Sequence, residues 1–164
     1  MSSILSRIFS VPAPQRPAVP DGKIRICVSG YGMSHNTGRA QKLAATIARV
    51  YPEGYETWFY FSTFHFKDFL ESILKQIPED QLSKPSCLDS DRPISNHSSS
   101  PFVWLEHPGA KPMTAIGGRD SFCDWAAKTF PSDKSIQGLT STREPPLSEM
   151  FFDNATPGGT WMKP

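Results

Sequence analysis

The strongest structural signal in the sequence is an alternation of two apolar periods between Lys23 and Phe130. Apolar residues first recur at every second position, as in a strand, at Ile24, Ile26 and Val28. They then recur every three or four positions, as on one face of a helix, at Ala40, Leu43, Ala44 and Ile47. A chain that alternates between these periods buries its apolar side chains by packing helices on a sheet. The sequence therefore predicts an α/β domain over residues 23–130.

Five further segments complete the predicted order of elements. Residues 56–61 are rich in aromatic residues and predict a second strand. Residues 66–77 carry the clearest helical face in the chain, and Pro78 ends it. Residues 102–105 and 113–116 predict a hairpin around a Pro-Gly turn, and a last helix begins at Asp120. The predicted order is β-α-β-α-β-β-α with a mixed four-stranded sheet, since a parallel pair is followed by a hairpin.

Two local features of this pattern are also predicted. Asn36 or Thr37 is expected to cap the first helix, because both are good N-cap residues just before the helical period. Residues 79–100 are polar and rich in Ser, Asp and Pro, and they predict a surface loop.

Proline-rich segments flank the periodic region on both sides. Residues 1–22 predict an extended arm or a presequence, because residues 4–9 are basic and amphipathic, as organelle presequences are. Residues 131–164 have little periodicity and predict an extended tail without a core of its own. Isolated apolar residues in this tail are predicted anchors on a partner surface: Leu147, Met150, Phe151, Phe152 and Trp161.

Composition argues against several functional classes. The net charge of +1 gives no electrostatic footprint for nucleic acid. No apolar run approaches the ~20 residues of a transmembrane helix. The three cysteines, Cys27, Cys87 and Cys123, form neither a C-x-x-C motif nor a zinc-ligand pattern, and they indicate a reducing compartment. The sequence therefore predicts no bound metal and no cofactor.

Two motifs in this pattern resemble those of the glutaredoxin family. Residues 100–104, Ser-Pro-Phe-Val-Trp, are similar to the family's cis-proline segment, and residues 117–120, Gly-Gly-Arg-Asp, are similar to its glycine turn. The similarity is closest to the glutaredoxin-like domain that precedes the malate-dehydrogenase-like region in some fused proteins. It implies a thioredoxin-like, glutaredoxin-type fold over residues 23–130. It also implies a glutathione site, whose matching positions are Ser100, Pro101, Gly118 and Asp120.

The sequence departs from the family at the position that carries the family's chemistry. Ser34 stands where the resemblance places the nucleophilic cysteine. Thiol–disulfide exchange needs a thiolate at a helix N-terminus, and a serine hydroxyl gives no comparable anion near neutral pH. A Ser34–His35 hydrolytic pair is disfavoured because adjacent residues rarely align as nucleophile and base. Gly38 lies too far along the chain to complete a dinucleotide-binding motif. The sequence therefore predicts a protein without catalytic activity.

Three functions are consistent with these features. The first is a non-catalytic accessory, or supernumerary, subunit of a large assembly, held by both tails; a mitochondrial respiratory or ATP-synthase complex is the most specific expectation. The second is a glutathione-binding, degenerate glutaredoxin-like protein. The third is a microtubule-associated subunit of a cilium, with a ciliary or cytoplasmic location.

Overall fold

The computed structural model of the chain describes residues 13–151 and 153–155. Within these residues, the strands are β1 Ile24–Gly30, β2 Tyr55–Phe61, β3 Phe102–Glu106 and β4 Thr114–Gly117. The helices are α1 His35–Val50, α2 Phe66–Leu74, α3 Glu79–Leu82, α4 Arg119–Thr129, α5 Lys134–Gln137 and α6 Leu147–Met150. A single 3-10 turn spans Ile94–Asn96.

The four strands form one mixed sheet in the order β2-β1-β3-β4. Strand β1 is parallel to β2 and antiparallel to β3, and β4 is antiparallel to β3. This arrangement confirms the predicted α/β class with a mixed four-stranded sheet, and it is compatible with a thioredoxin-like fold. Strand β1 has neighbours on both sides, so both of its backbone edges are paired.

Two apolar layers cover the two faces of the sheet. Because successive strand residues point to opposite faces, Ile26 and Val28 pack with α1 and α4, whereas Cys27 packs with α2 on the other side. The α2 layer is the more aromatic one, and it includes Trp58 and Trp104. Helices on both faces explain why β1 has no solvent-facing side.

Several local features differ from the sequence expectation. Helix α1 begins at His35 with Ser34 at the N-cap, so neither Asn36 nor Thr37 caps it. The predicted loop at 79–100 contains α3 and the 3-10 turn, and it buries Ile94 completely. These elements are three and four residues long, too short to show a period of their own.

Both proline-rich ends of the described chain contact the domain. At the N-terminal end, the Arg16 guanidinium lies over the rings of Trp58 and Trp104, and its Nε is 2.6 Å from a Glu106 carboxylate oxygen. Beyond Phe130, helix α5 buries Ile136 fully in the α1 and α4 layer. The basic stretch at residues 4–9 lies outside the described residues. In the part of the chain that the structure describes, no helix is both long and apolar enough to cross a bilayer.

Candidate functional site at the tip of the first helix

The loop between β1 and α1 places the helix tip beside the segment that precedes β3. Strand β1 ends at Gly30 and α1 begins at His35, so only four residues separate them. In the β1–β3 pairing, Ser29 lies opposite Phe102, the first residue of β3. The Ser100–Pro101 peptide bond, which immediately precedes β3, is cis. The helix tip at Ser34 and the Ser100–Pro101 segment therefore lie close together.

A partly buried pair of hydroxyl groups joins these two segments. The Thr37 and Ser100 hydroxyl oxygens are 2.7 Å apart, and the Tyr31 amide donates to the Ser100 hydroxyl at 2.8 Å. A Cβ atom on Gly30 would lie 2.4 Å from the Ser100 hydroxyl, so a glycine is needed for this close approach. Ser34 and Thr37 have the C-x-x-C spacing at the start of the helix. Both of these positions carry hydroxyl groups.

The three thiols lie elsewhere in the domain. Cys27 is fully buried within β1, and burial raises its pKa well above the usual value for a thiol. Burial also raises the pKa of Cys123 in α4. Cys87 is half-buried beside Gly118, where a Cβ on that glycine would lie 3.4 Å from its sulfur. Two of the thiols are therefore kept protonated by burial, and the third lies at the start of α4 rather than at the tip of α1.

The predicted glutathione-binding turn already has partners within the chain. The Gly118 amide donates to the Ser86 carbonyl at 2.9 Å. Gly117 has a φ of 111°, and a Cβ there would lie 2.4 Å from the same carbonyl oxygen. The Asp120 carboxylate is 2.8 Å from the Arg119 guanidinium. The backbone amide suited to a ligand carboxylate is thus bonded to the loop that precedes β3.

The C-terminal segment crosses the same helix tip, which the sequence did not indicate. We call residues 141–151 and 153–155 the C-terminal strap. Arg119, which is only 5% exposed, donates to the carbonyls of Ser141 and Thr142. At the far end of the strap, the Ala155 amide donates to the Gly32 carbonyl at 3.1 Å. The strap is therefore bonded to the domain at both ends.

Three of the predicted anchor residues, Leu147, Met150 and Phe151, lie in the middle of the strap. Leu147 is 76% exposed and Phe151 is 79% exposed, and they lie four residues apart around α6. Met150 is half-buried. Phe152 and Trp161 lie outside the described residues. Since the strap is bonded before and after α6, its two apolar side chains project from a tethered turn.

A titratable pair also links the helix tip to the strap. The His35 ring nitrogen lies 3.0 Å from the carboxylate of Glu144, which is a strap residue. Among the described residues, no three His, Cys, Asp or Glu side chains are grouped so that they could bind a metal ion.

The chain matches no protein-family model, and no curated protein is significantly similar to it.

Proposed function

We propose that this chain is a non-catalytic, thioredoxin-like protein of the glutaredoxin type that serves as an accessory subunit of a larger assembly. The observation that carries the proposal is the helix tip, where Ser34 and Thr37 carry hydroxyl groups at the C-x-x-C spacing and the Thr37 hydroxyl lies 2.7 Å from that of Ser100. Disulfide exchange begins with attack by a thiolate, and a neutral hydroxyl cannot form the mixed disulfide. A domain that keeps this fold without the thiolate chemistry can still bind other proteins, and binding is the role that we assign to it.

The projecting turn of the strap supports a partner-binding role. Leu147 and Phe151 are large apolar side chains that remain exposed within a segment bonded to the domain at both ends. Side chains four residues apart lie on the same helix face. A tethered pair of this kind loses little conformational freedom when it enters a partner's pocket, and such anchors dominate binding energies.

The location of the assembly is proposed from the sequence alone. Residues 4–9 are presequence-like, and they favour a mitochondrial complex of the respiratory chain or the ATP synthase. A ciliary assembly is the alternative location for a small subunit with extended arms.

The accessory role is tested by native purification of the full chain, with mass spectrometry of the proteins that co-migrate. The wild type should migrate with a large complex, and the double variant Leu147→Ser/Phe151→Ser should be released from it. Phe64→Ser is the matched control, because Phe64 is 87% exposed but precedes α2 in the chain and is not part of the strap. Full retention of the double variant would contradict the anchoring role.

Glutathione binding is the second candidate, and it rests on the motif resemblance around Pro101 and Asp120. Titration calorimetry of glutathione against the wild type and Asp120→Ala distinguishes the two functions. Millimolar or tighter binding that Asp120→Ala abolishes would support a ligand-binding protein. Absence of heat with both proteins would favour the accessory role.

A further inference from the structure

Two arginines on the domain direct their guanidinium groups at the strap backbone. Arg39 of α1 donates to the carbonyls of Ser141 at 2.9 Å and Arg143 at 3.2 Å. Arg119 of α4 donates to the Ser141 carbonyl at 3.3 Å and to the Thr142 carbonyl at 3.1 Å. Three consecutive strap carbonyls are thus bound by side chains from two helices. These contacts recognise the strap backbone rather than particular strap side chains.

One strap carboxylate adds a charged contact beside these carbonyls. The two carboxylate oxygens of Glu144 lie 3.0 Å from the His35 ring nitrogen and 3.5 Å from the Arg119 guanidinium. His35 is the first residue of α1, where the helix dipole also favours a negative charge. The strap therefore places a carboxylate beside the Arg119 guanidinium and the positive end of the α1 dipole.

The second half of the strap lies against the backbone of α1 at Gly38. A Cβ atom built on Gly38 would lie 1.3 Å from the Asp153 carbonyl oxygen, so no other residue fits beneath the strap. A glycine inside a helix destabilises it relative to alanine. The close approach of the strap gives a physical reason for this glycine in an otherwise regular helix.

From these contacts we infer that the C-terminal strap is a pseudo-ligand, bound in an exchangeable peptide-binding cleft. The cleft is formed by His35, Gly38, Arg39 and Arg119, and it binds a peptide segment through consecutive backbone carbonyls and one carboxylate. An acidic segment of a partner protein can replace the strap. This inference goes beyond the proposed function, because the accessory role requires only the exposed side chains of α6.

Release of the strap from the full chain is measured by hydrogen exchange with mass spectrometry. Glu144→Lys places a positive charge beside Arg119 and should speed amide exchange in residues 153–155 at least tenfold. Gly38→Ala should have a similar effect, because its Cβ excludes the Asp153 carbonyl. Gly54→Ala is the matched control, since a Cβ there meets no atom within 4 Å and Gly54 lies in the turn between α1 and β2. If neither Glu144→Lys nor Gly38→Ala speeds exchange, the inferred strap contacts are wrong.

Exchange for a second peptide is measured by fluorescence anisotropy with a labelled synthetic peptide of residues 139–155. The wild type should bind this probe weakly, because its own strap competes. The Glu144→Lys chain should bind at least tenfold more tightly. Adding Gly38→Ala to that chain should abolish binding, whereas adding Gly54→Ala should not. Failure of the Glu144→Lys chain to bind, or binding that is insensitive to Gly38→Ala, would overturn the inference whether or not the chain is an accessory subunit.

Discussion

At the scale of single residues, the most heavily charged part of the interior lies around Arg25 in β1. Its side chain is only 3% exposed, and its guanidinium lies 2.6 Å from Glu56 and 3.1 Å from Glu106. The same guanidinium donates to the carbonyls of Pro17 and Ala18. These bonds attach the N-terminal arm to the edge of the domain. The two carboxylates, of Glu56 and Glu106, balance the positive charge of the buried Arg25 guanidinium.

We expect Glu106→Ala to lower the free energy of unfolding by about 1.5 to 3 kcal/mol, because Arg25 then keeps only Glu56 as a carboxylate partner and Arg16 loses its own. Urea denaturation measures this loss. The matched control is Lys128→Ala, which removes the exposed pair between Lys128 and Asp124 and should cost no more than about 0.5 kcal/mol. Equal losses in the two variants would show that the Arg25 cluster is not electrostatically important.

Sequence reasoning identified the positions of the site residues but not their partners. Ser34 could be placed near the helix start because the strand and helix periods bracket it closely. The bond between Thr37 and Ser100 joins residues 63 positions apart, and the Arg25–Glu106 bond joins residues 81 positions apart. A local period reports which face a side chain takes, but not what covers that face. Such pairs follow only from the folded arrangement.

At the scale of elements, long periodic segments were predictable and single turns were not. The helical face predicted over 66–77 corresponds to α2, Phe66–Leu74, and β1 and β2 begin within one residue of their predicted starts. Helix α5 spans only four residues, and Asp133 caps it by accepting a bond from the Ile136 amide. An isolated turn shows no period, so the burial of Ile136, its one apolar residue, could not be predicted from the sequence.

Ile136→Ala should therefore lower the free energy of unfolding by about 2 to 4 kcal/mol, as expected when a fully buried side chain is cut back to alanine. Leu147→Ala should change it by no more than about 0.5 kcal/mol, because Leu147 is mostly exposed. Thermal or urea unfolding of the two variants makes the comparison. A small effect of Ile136→Ala would show that the segment after Phe130 contributes nothing to the stability of the fold.

At the scale of the whole molecule, one buried histidine should make folding sensitive to mild acid. His97 is 5% exposed, and its Nε2 lies 2.8 Å from the Ser99 carbonyl and 3.2 Å from the Pro101 carbonyl. Carbonyl oxygens only accept, so Nε2 carries the proton of the neutral ring. Its Nδ1 is buried without a hydrogen-bond partner. Burial lowers the pKa of His97, because the charged ring would lose its hydration and its second proton, on Nδ1, would have no hydrogen-bond acceptor.

The lowered pKa has a definite sign for stability. In the unfolded chain a histidine binds a proton near pH 6.5, whereas folded His97 does so only at lower pH. Below about pH 6.5 the unfolded state thus binds more protons, and the free energy of unfolding falls as the pH falls. His107, whose pKa burial also lowers, adds a contribution of the same sign.

We expect His97→Gln to flatten the fall in stability between about pH 6.5 and 5, because glutamine retains a donor for the two carbonyls but does not titrate in this range. Urea denaturation of the wild type and the variant at several pH values measures the difference in slope. His107→Gln is the comparison, and it should flatten the slope less because His107 is less buried. If His97→Gln leaves the slope unchanged, the ring is free to accept a proton in the folded state. The packing of the Ser99–Pro101 segment against the helix tip would then not depend on a neutral His97.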